Sequence, residues 1–259
     1  MATFLFDQIV FGPVQSRRLG VSLGVNLLPV DGKYCNFDCI YCECGRNADG
    51  KNGKMMLPSR SEVRTALDNK LAEMQQAGNT PDAITFAGNG EPTIHPDFIG
   101  IVNDTVALRN RYAPGAKISV LSNATMLHRP EVAEALKQAD MPILKLDSAI
   151  ESTIALLNRP VGKPVLPELI ARLASFGGRC IIQTMFVHGS YNGQIVDNTT
   201  PEELNAWEQA ILAVKPQMVM IYTIARDTPT ETLYKTPEKT LREIAQRIDK
   251  HGIPVQVSA

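Results

Sequence analysis

The chain's absences narrow its class first. Its 259 residues contain no apolar run near the ~18 needed to cross a membrane as a helix. No low-complexity tract, internal repeat or linker-like change of composition divides it, so a single α/β unit over residues 1–259 is expected. Neither sign of charge prevails: 26 Lys and Arg stand against 27 Asp and Glu, a formal net charge of −1. No global field therefore draws the chain to nucleic acid or to an anionic membrane. The cysteine pairing of a small secreted domain is also missing. Five cysteines are an odd number, and three of them crowd into eight residues, which points to a reducing, cytoplasmic setting. Ser16-Arg17-Arg18-Leu19 superficially resembles a twin-arginine export signal. No small-residue cleavage site follows it, and cleavage there would remove the first expected core strand.

The remaining composition is ordinary for a folded globular chain, with 44% hydrophobic and 20% charged residues. Residues 20–28 are rich in Val and Leu, stop at Pro29 and read as a buried strand. Further strands are expected at 83–87, 117–121, 142–146, 179–187 and 217–223, with a short last one at 254–257. Helical patterns separate them. One begins at the capping box of Ser59 and Glu62 and ends at Gly78. Others cover 96–112, 130–138, 150–157 and 167–176. Thr200-Pro201 opens another, and Thr236-Pro237 the last, which ends at Gly252. Gly12-Pro13 marks a turn and His188 a loop. Six strands alternating with helices make parallel β/α units, the pattern of a partial (β/α)6 TIM-like barrel. Functional residues in such barrels gather at the C-terminal ends of the strands.

The first strand leads into Cys35-Asn-Phe-Asp-Cys39-Ile-Tyr-Cys42, a C-x3-C-x2-C spacing with Tyr41 before the last thiol. Three thiolates on one turn make a soft metal site, suited to zinc or to an iron–sulfur cluster. A cubane cluster usually takes four cysteines, so three would leave one iron open for chemistry. Cys44 extends the spacing but does not create the paired C-x2-C knuckles usual for zinc, and reads as a bystander or an extra ligand. Cys180 falls in a strand and reads as a small core residue. The other strand ends are polar. They carry Asn89-Gly90-Glu91, then Ser122 and Asn123, then Lys145, Asp147 and Ser148, with Gln183 on the fifth strand and Ile224-Ala225-Arg226 after the sixth. Arg46, Lys51, Lys54, Arg60 and Arg64 give residues 46–64 a positive bias, read as a solvated face or a contact for substrate phosphate. Arg17 and Arg18 read as a solvated pair or as an anion contact near the site.

Residues 11–42, Gly88-Asn-Gly-Glu-Pro-Thr93, Lys145-Leu-Asp-Ser148 and Gln183-Thr-Met-Phe186 together resemble the radical S-adenosylmethionine (SAM) superfamily. Within it they are most similar to the branch of wyosine-type tRNA-modifying enzymes and their uncharacterised bacterial relatives. The resemblance implies a [4Fe–4S] cluster on Cys35, Cys39 and Cys42, with SAM chelating the fourth iron. It implies that Tyr41 lies against the adenine, and that Gly90 and Glu91 meet the SAM ammonium, with Asn89 replacing a usual first glycine. Ser122 and Asn123 would meet the SAM ribose or carboxylate, and Lys145 would pair with the carboxylate. Asp147 or Ser148, with Gln183, would bind ribose hydroxyls. Ile224 and Ala225 would border the adenine, and Arg226 would face the substrate. The implied activity is reductive cleavage of SAM to a 5′-deoxyadenosyl radical that abstracts hydrogen. Its electron would come from a donor such as flavodoxin or ferredoxin, and its substrate would be RNA, a metabolite or a polypeptide. Base modification of tRNA and activation of a glycyl-radical enzyme are the specific alternatives. A second cysteine cluster is missing, unlike wyosine-type enzymes proposed to use one. The rival from another class is a zinc-binding interaction module without enzymatic activity.

Overall fold

A computed structural model describes residues 4–16, 18–47, 56–163 and 165–259. Arg17, Lys51 and Lys54 of the basic stretches lie outside the described residues, as does most of 45–58, which the polar, Gly-rich sequence after the cysteines predicts to be a basic flexible loop.

Seven parallel strands form one curled sheet, a half-barrel. They are β2 (Gly20–Val25), β3 (Ala83–Phe86), β4 (Lys117–Ser122), β5 (Met141–Lys145), β6 (Ile181–Met185), β9 (Met218–Tyr222) and β11 (Val255–Ser258). An antiparallel edge strand, β1 (Val10–Ser16), pairs with β2. The sheet order β1-β2-β3-β4-β5-β6-β9-β11 leaves β1 and β11 unpaired with each other, so the barrel is open. The helices α1 (Arg60–Gln76), α2 (Phe98–Tyr112), α3 (Pro130–Gln138), α4 (Glu151–Leu157), α5 (Leu166–Ala174), α6 (Pro201–Val214) and α7 (Glu238–Asp249) connect the strands. Strands covered on both faces read as continuous apolar runs rather than alternating ones. Accordingly, every residue of β3 and of β6 is buried.

Alternation along each strand divides the core in two. Leu23, Ile84, Val120, Leu144, Ile182 and Val219 belong to the large cluster that includes the buried faces of the helices. Ile143, Ile181 and Met220 point the other way and form a small cluster with Leu19 and Leu121 on the concave face. The N-terminal arm lies over that face. Phe6 stacks on Phe11 with ring centres 3.6 Å apart, and Phe11 covers Gly24 so closely that a Cβ there would come within 2.1 Å of the ring.

Three expectations are corrected. Residues 10–16 form an edge strand rather than only a turn at Gly12-Pro13; the register breaks between Phe11 and Val14, where Pro13 has no N–H to pair. The first parallel strand ends at Val25, not at 28, where the Asn26 side chain turns along the backbone and its Oδ1 accepts the Leu28 N–H at 3.2 Å. The strand expected over 179–187 ends at Met185, and His188 is not in a loop. It lies on β7 (Val187–Tyr191), which pairs with β8 (Gln194–Asp197) and β10 (Leu233–Lys235) in a separate antiparallel sheet. The β7–β8 hairpin turns at Asn192-Gly193, with φ of 49° and 76°, the left-handed values that a tight hairpin needs.

On the outer layer, Glu208 of α6 ties to the end of α7 and beyond. It accepts from Arg247 at 2.7 Å and from His251 at 2.8 Å, and lies 3.4 Å from Lys250. Burial pushes its carboxyl up, but the hydrogen bonds from His251 and Arg247 and the charge of Arg247 outweigh burial and hold it at about 2, below its ordinary 4.5. A carboxyl depressed in the folded state stabilises the fold above its unfolded pKa and loses that contribution as pH falls through the folded one. Stability is therefore expected to fall between pH 4.5 and about 2, and Glu208→Gln to flatten that fall in urea unfolding followed by circular dichroism.

Candidate active site

The cysteine loop is seated from two sides at the C-terminal ends of the parallel strands. On one side Tyr34 bridges Gly90: the Tyr34 N–H donates to the Asn89 carbonyl at 2.8 Å, and the Glu91 N–H donates to the Tyr34 carbonyl at 3.2 Å. On the other, the loop meets the end of α4. The Asp38 and Ile40 N–H groups donate to the carbonyls of Asn158 and Leu157 at 2.9 and 3.0 Å. Inside the loop the Asn47 amide donates to the carbonyls of Cys35 and Phe37, at 2.9 and 3.0 Å. Buried Lys33 donates to the Gly45 carbonyl at 3.1 Å and pairs with Asp38 at 3.3 Å.

This seating places Cys35, Cys39, Cys42 and Cys44 along one cavity of about 290 Å³, shared with Gly90, Glu91, Ser122, Asn123, Lys145, Gln183 and Tyr41. Among the described residues, no three His, Cys, Asp or Glu side chains are gathered as one metal ion would need. The thiols line a cavity instead of closing on a point. Burial pushes the Cys39 thiol up to about 11, and burial likewise raises Cys35. Cys42 moves down to about 6, chiefly because the Cys44 thiol donates to it, with the Lys33 ammonium adding to the effect. Burial alone would lower Lys33, but the sulfurs of Cys42, Cys35 and Cys39 and the Asp38 carboxylate hold it above its ordinary value.

Glu91 is 2% exposed and well supplied with donors. Its carboxylate accepts from Ser122 Oγ at 2.8 Å, from the Asn123 N–H at 2.6 Å and from the Thr93 N–H at 3.1 Å. Burial raises its pKa against the pull of these bonds. Asn123 reaches across to Asn36 Oδ1 at 2.6 Å and lies 3.7 Å from the Cys35 sulfur. Across the cavity, Lys145 Nζ stands 3.0 Å from the Tyr41 hydroxyl, 3.2 Å from that of Tyr222 and 3.5 Å from Asp147. Burial pulls Lys145 down, yet Asp147 foremost, then Tyr222 and Cys39, keep it above its ordinary value.

Not every residue singled out in the sequence faces the cavity. Asn89 is fully buried outside it: its amide clamps the arm, accepting from the Phe6 N–H and donating to the Phe6 and Pro29 carbonyls, all at 2.8 Å. Asp147 lies beneath the cavity, accepting from Tyr41, from Asn158 at 2.6 Å and from the Met185 N–H at 2.9 Å. Ser148 turns away to Glu203 at 2.7 Å. Ile224 packs in the cluster of Phe37, Tyr41 and Met185, and Ala225 borders a separate hollow of about 650 Å³. Arg226 pairs with Glu43 at 3.0 Å. Cys180 is a core residue. The described arginines of the basic stretch are engaged locally: Arg60 and Arg64 hold Asp104 at 2.7 and 2.8 Å, and Arg46 donates to Thr230 at 2.9 Å.

Sequence reasoning missed Lys33, Asn158 and Tyr222. Strand alternation was the available signal for Tyr222, two residues beyond inward-facing Met220; no pattern marked Lys33 or Asn158.

Residues 30–198 match the model of the radical SAM superfamily, and the chain belongs to that superfamily. Its members share SAM and a [4Fe–4S] cluster as cofactors. A UPF0026 protein of Helicobacter pylori is 31% identical over 188 residues, 70% of this chain and 57% of that protein. The chain thus spans little more than half the length of this relative. A radical SAM methyltransferase from Sphaerobacter thermophilus superposes with a TM-score of 0.66 at 16% identity, covering 92% of this chain and 65% of that one. TYW1 with a lysine-pyruvate adduct gives 0.59 at 11%, covering 88% and 73%. At these identities the two structures establish the fold.

Gly90 has a φ of 143°, and a Cβ on it would meet the Tyr34 carbonyl oxygen at 1.9 Å. Gly90→Ala is expected to destabilise the protein by more than about 1 kcal/mol and to lower the iron bound after anaerobic reconstitution. Gly115→Ala, with open space around it, should stay within about 0.5 kcal/mol and bind iron normally.

Proposed function

We propose that this chain is an enzyme that cleaves SAM reductively and uses the resulting radical to take a hydrogen atom from a bound substrate. One observation carries the reading: the three thiols of the C-x3-C-x2-C loop line the same cavity as Gly90 and the buried Glu91 of the turn that follows β3. A structural zinc ion closes its protein ligands around itself. Thiols spread along a cavity fit a larger cluster with a small molecule beside it.

Cys35, Cys39 and Cys42 would hold the [4Fe–4S] cluster. The amides of Asn123 and Asn158, 3.7 and 3.4 Å from the sulfurs of Cys35 and Cys39, orient those ligands. When bound, the cluster would supply one-electron reduction of the SAM sulfonium, with the electron drawn from a donor such as flavodoxin or ferredoxin and methionine and a 5′-deoxyadenosyl radical as the products. The chain's own groups bind and orient. Glu91, fixed by Ser122, Thr93 and Asn123, offers negative charge to the SAM ammonium. Lys145, held by Tyr41 and Tyr222, offers positive charge to the SAM carboxylate. Gln183 and Ser122 are within the same lining for the ribose. Burial of these groups excludes water from a site where a radical must survive. Among substrate classes, a polyanion such as tRNA is disfavoured, since Arg46, Arg60 and Arg64 are already committed to neighbours.

After anaerobic reconstitution with iron and sulfide, the reduced protein is expected to be brown and to convert SAM to 5′-deoxyadenosine, measured by chromatography. Cys39→Ala should bring that conversion to background. A cluster-loaded wild type that leaves SAM intact would overturn the proposal.

A further inference from the structure

Arg18 lies between β1 and β2, at the opposite end of the first parallel strand from the cysteine loop. Its guanidinium carbon is 5.1 Å from the centre of the Tyr222 ring. The side chain borders two cavities: the one lined by the cysteines, and a second of about 270 Å³ beneath the N-terminal arm. Its Nη1 is fully buried, with no hydrogen-bond partner among the described residues. Buried donors are almost always paired, and a charged one left over asks for a missing acceptor. The Tyr222 ring offers the guanidinium a cation–π contact but no in-plane acceptor, so Nη1 is left for an anion to accept from.

The second cavity has mostly apolar walls, chiefly Phe6, Phe11, Leu19 and Ile143. The hydroxyls of Ser22 and Thr85, also in its lining, bond each other at 2.8 Å. Glu43 is the other charged residue there, and Arg226 pairs with it at 3.0 Å. Leu121, Ala87, Glu43 and Arg18 border both cavities, so the two adjoin. The other cations of the first cavity have other roles: Lys33 is held by Gly45 and Asp38, and Lys145, between Tyr41, Tyr222 and Asp147, is the group assigned above to the SAM carboxylate.

We propose that Arg18 anchors the substrate of this enzyme, a small molecule with a compact apolar body and one carboxylate or phosphate. The body fills the chamber under the arm, the anion accepts the Arg18 fork, and the rest of the molecule extends toward the cysteine-lined cavity. The inference rests on the radical SAM reading for what happens to that molecule, but not for how it is held.

The test uses the anaerobically reconstituted protein with saturating SAM, titrated calorimetrically with benzoate, phenyl phosphate and the neutral isostere benzamide. At least one anion is expected to bind ~10-fold or more tightly than benzamide, and the stronger of the two identifies the anionic group. Arg18→Gln should weaken that anion by roughly 10- to 100-fold, and Arg18→Lys by less, since it keeps the charge but not the fork. If the glutamine variant does not fold, the lysine variant alone decides. Equal affinity for benzoate, phenyl phosphate and benzamide would overturn the proposal, as would anion binding indifferent to Arg18. Competition between the anion and SAM would also overturn it, by placing Arg18 in the SAM site. A wild type that forms 5′-deoxyadenosine but binds neither anion loses this inference and keeps the radical SAM reading. A wild type that binds the anion through Arg18 but leaves SAM intact does the reverse.

Discussion

The contact between the Tyr34 backbone and Gly90 is the constraint on which the site depends. A loop carrying three thiols has little reason of its own to stay near a particular carboxylate. Here the chain entering that loop bridges Gly90 in the turn that follows β3, so the cysteines and Glu91 share one short piece of backbone pairing. The approach is possible only because residue 90 has no Cβ and accepts a φ of 143°. Its neighbour contributes from the other direction. Asn89 gives its entire amide to Phe6 and Pro29, so the same turn that holds the cysteine loop also holds the arm over the concave face.

From that junction the polar groups divide by charge. Glu91 stands on the β3 side, satisfied by donors from the end of β4. Lys145 stands across the cavity, surrounded by two phenols and Asp147. A zwitterion such as the methionyl end of SAM is matched by a pair of this kind. Each group is costly to bury alone, and each is stabilised by fixed hydrogen bonds before any ligand arrives. The side chains are therefore preorganised, which lowers what binding must spend on ordering them.

Much of this was legible in the sequence. Apolar runs separated by helical patterns marked all seven parallel strands, and the fold's rule about strand ends directed attention to Glu91, Ser122, Asn123 and Lys145. What the pattern could not convey was direction and distance. Ser148 follows Asp147 at a strand end, yet alternation turns it outward to Glu203. Ile224 and Ala225 lie past the point where the chain leaves the sheet for the strap that ends in β10. Lys33 looks like any surface lysine until the loop folds over it. The antiparallel sheet of β7, β8 and β10 was signalled by Asn192-Gly193, but β6 and β7 are separated by one residue and read as a single run. Arg18 was visible as one of two arginines; only packing shows that its Nη1 is buried without an acceptor.

The proposed chemistry requires the three thiols to hold a cluster with an iron open to SAM. Electron paramagnetic resonance of the anaerobically reduced, reconstituted protein, recorded with and without SAM, tests it most directly. A [4Fe–4S]+ signal whose g values shift when SAM is added is expected, with loss of that signal in Cys39→Ala. A cluster signal unchanged by saturating SAM, or a protein that binds zinc at the thiols and gives no signal, would contradict it.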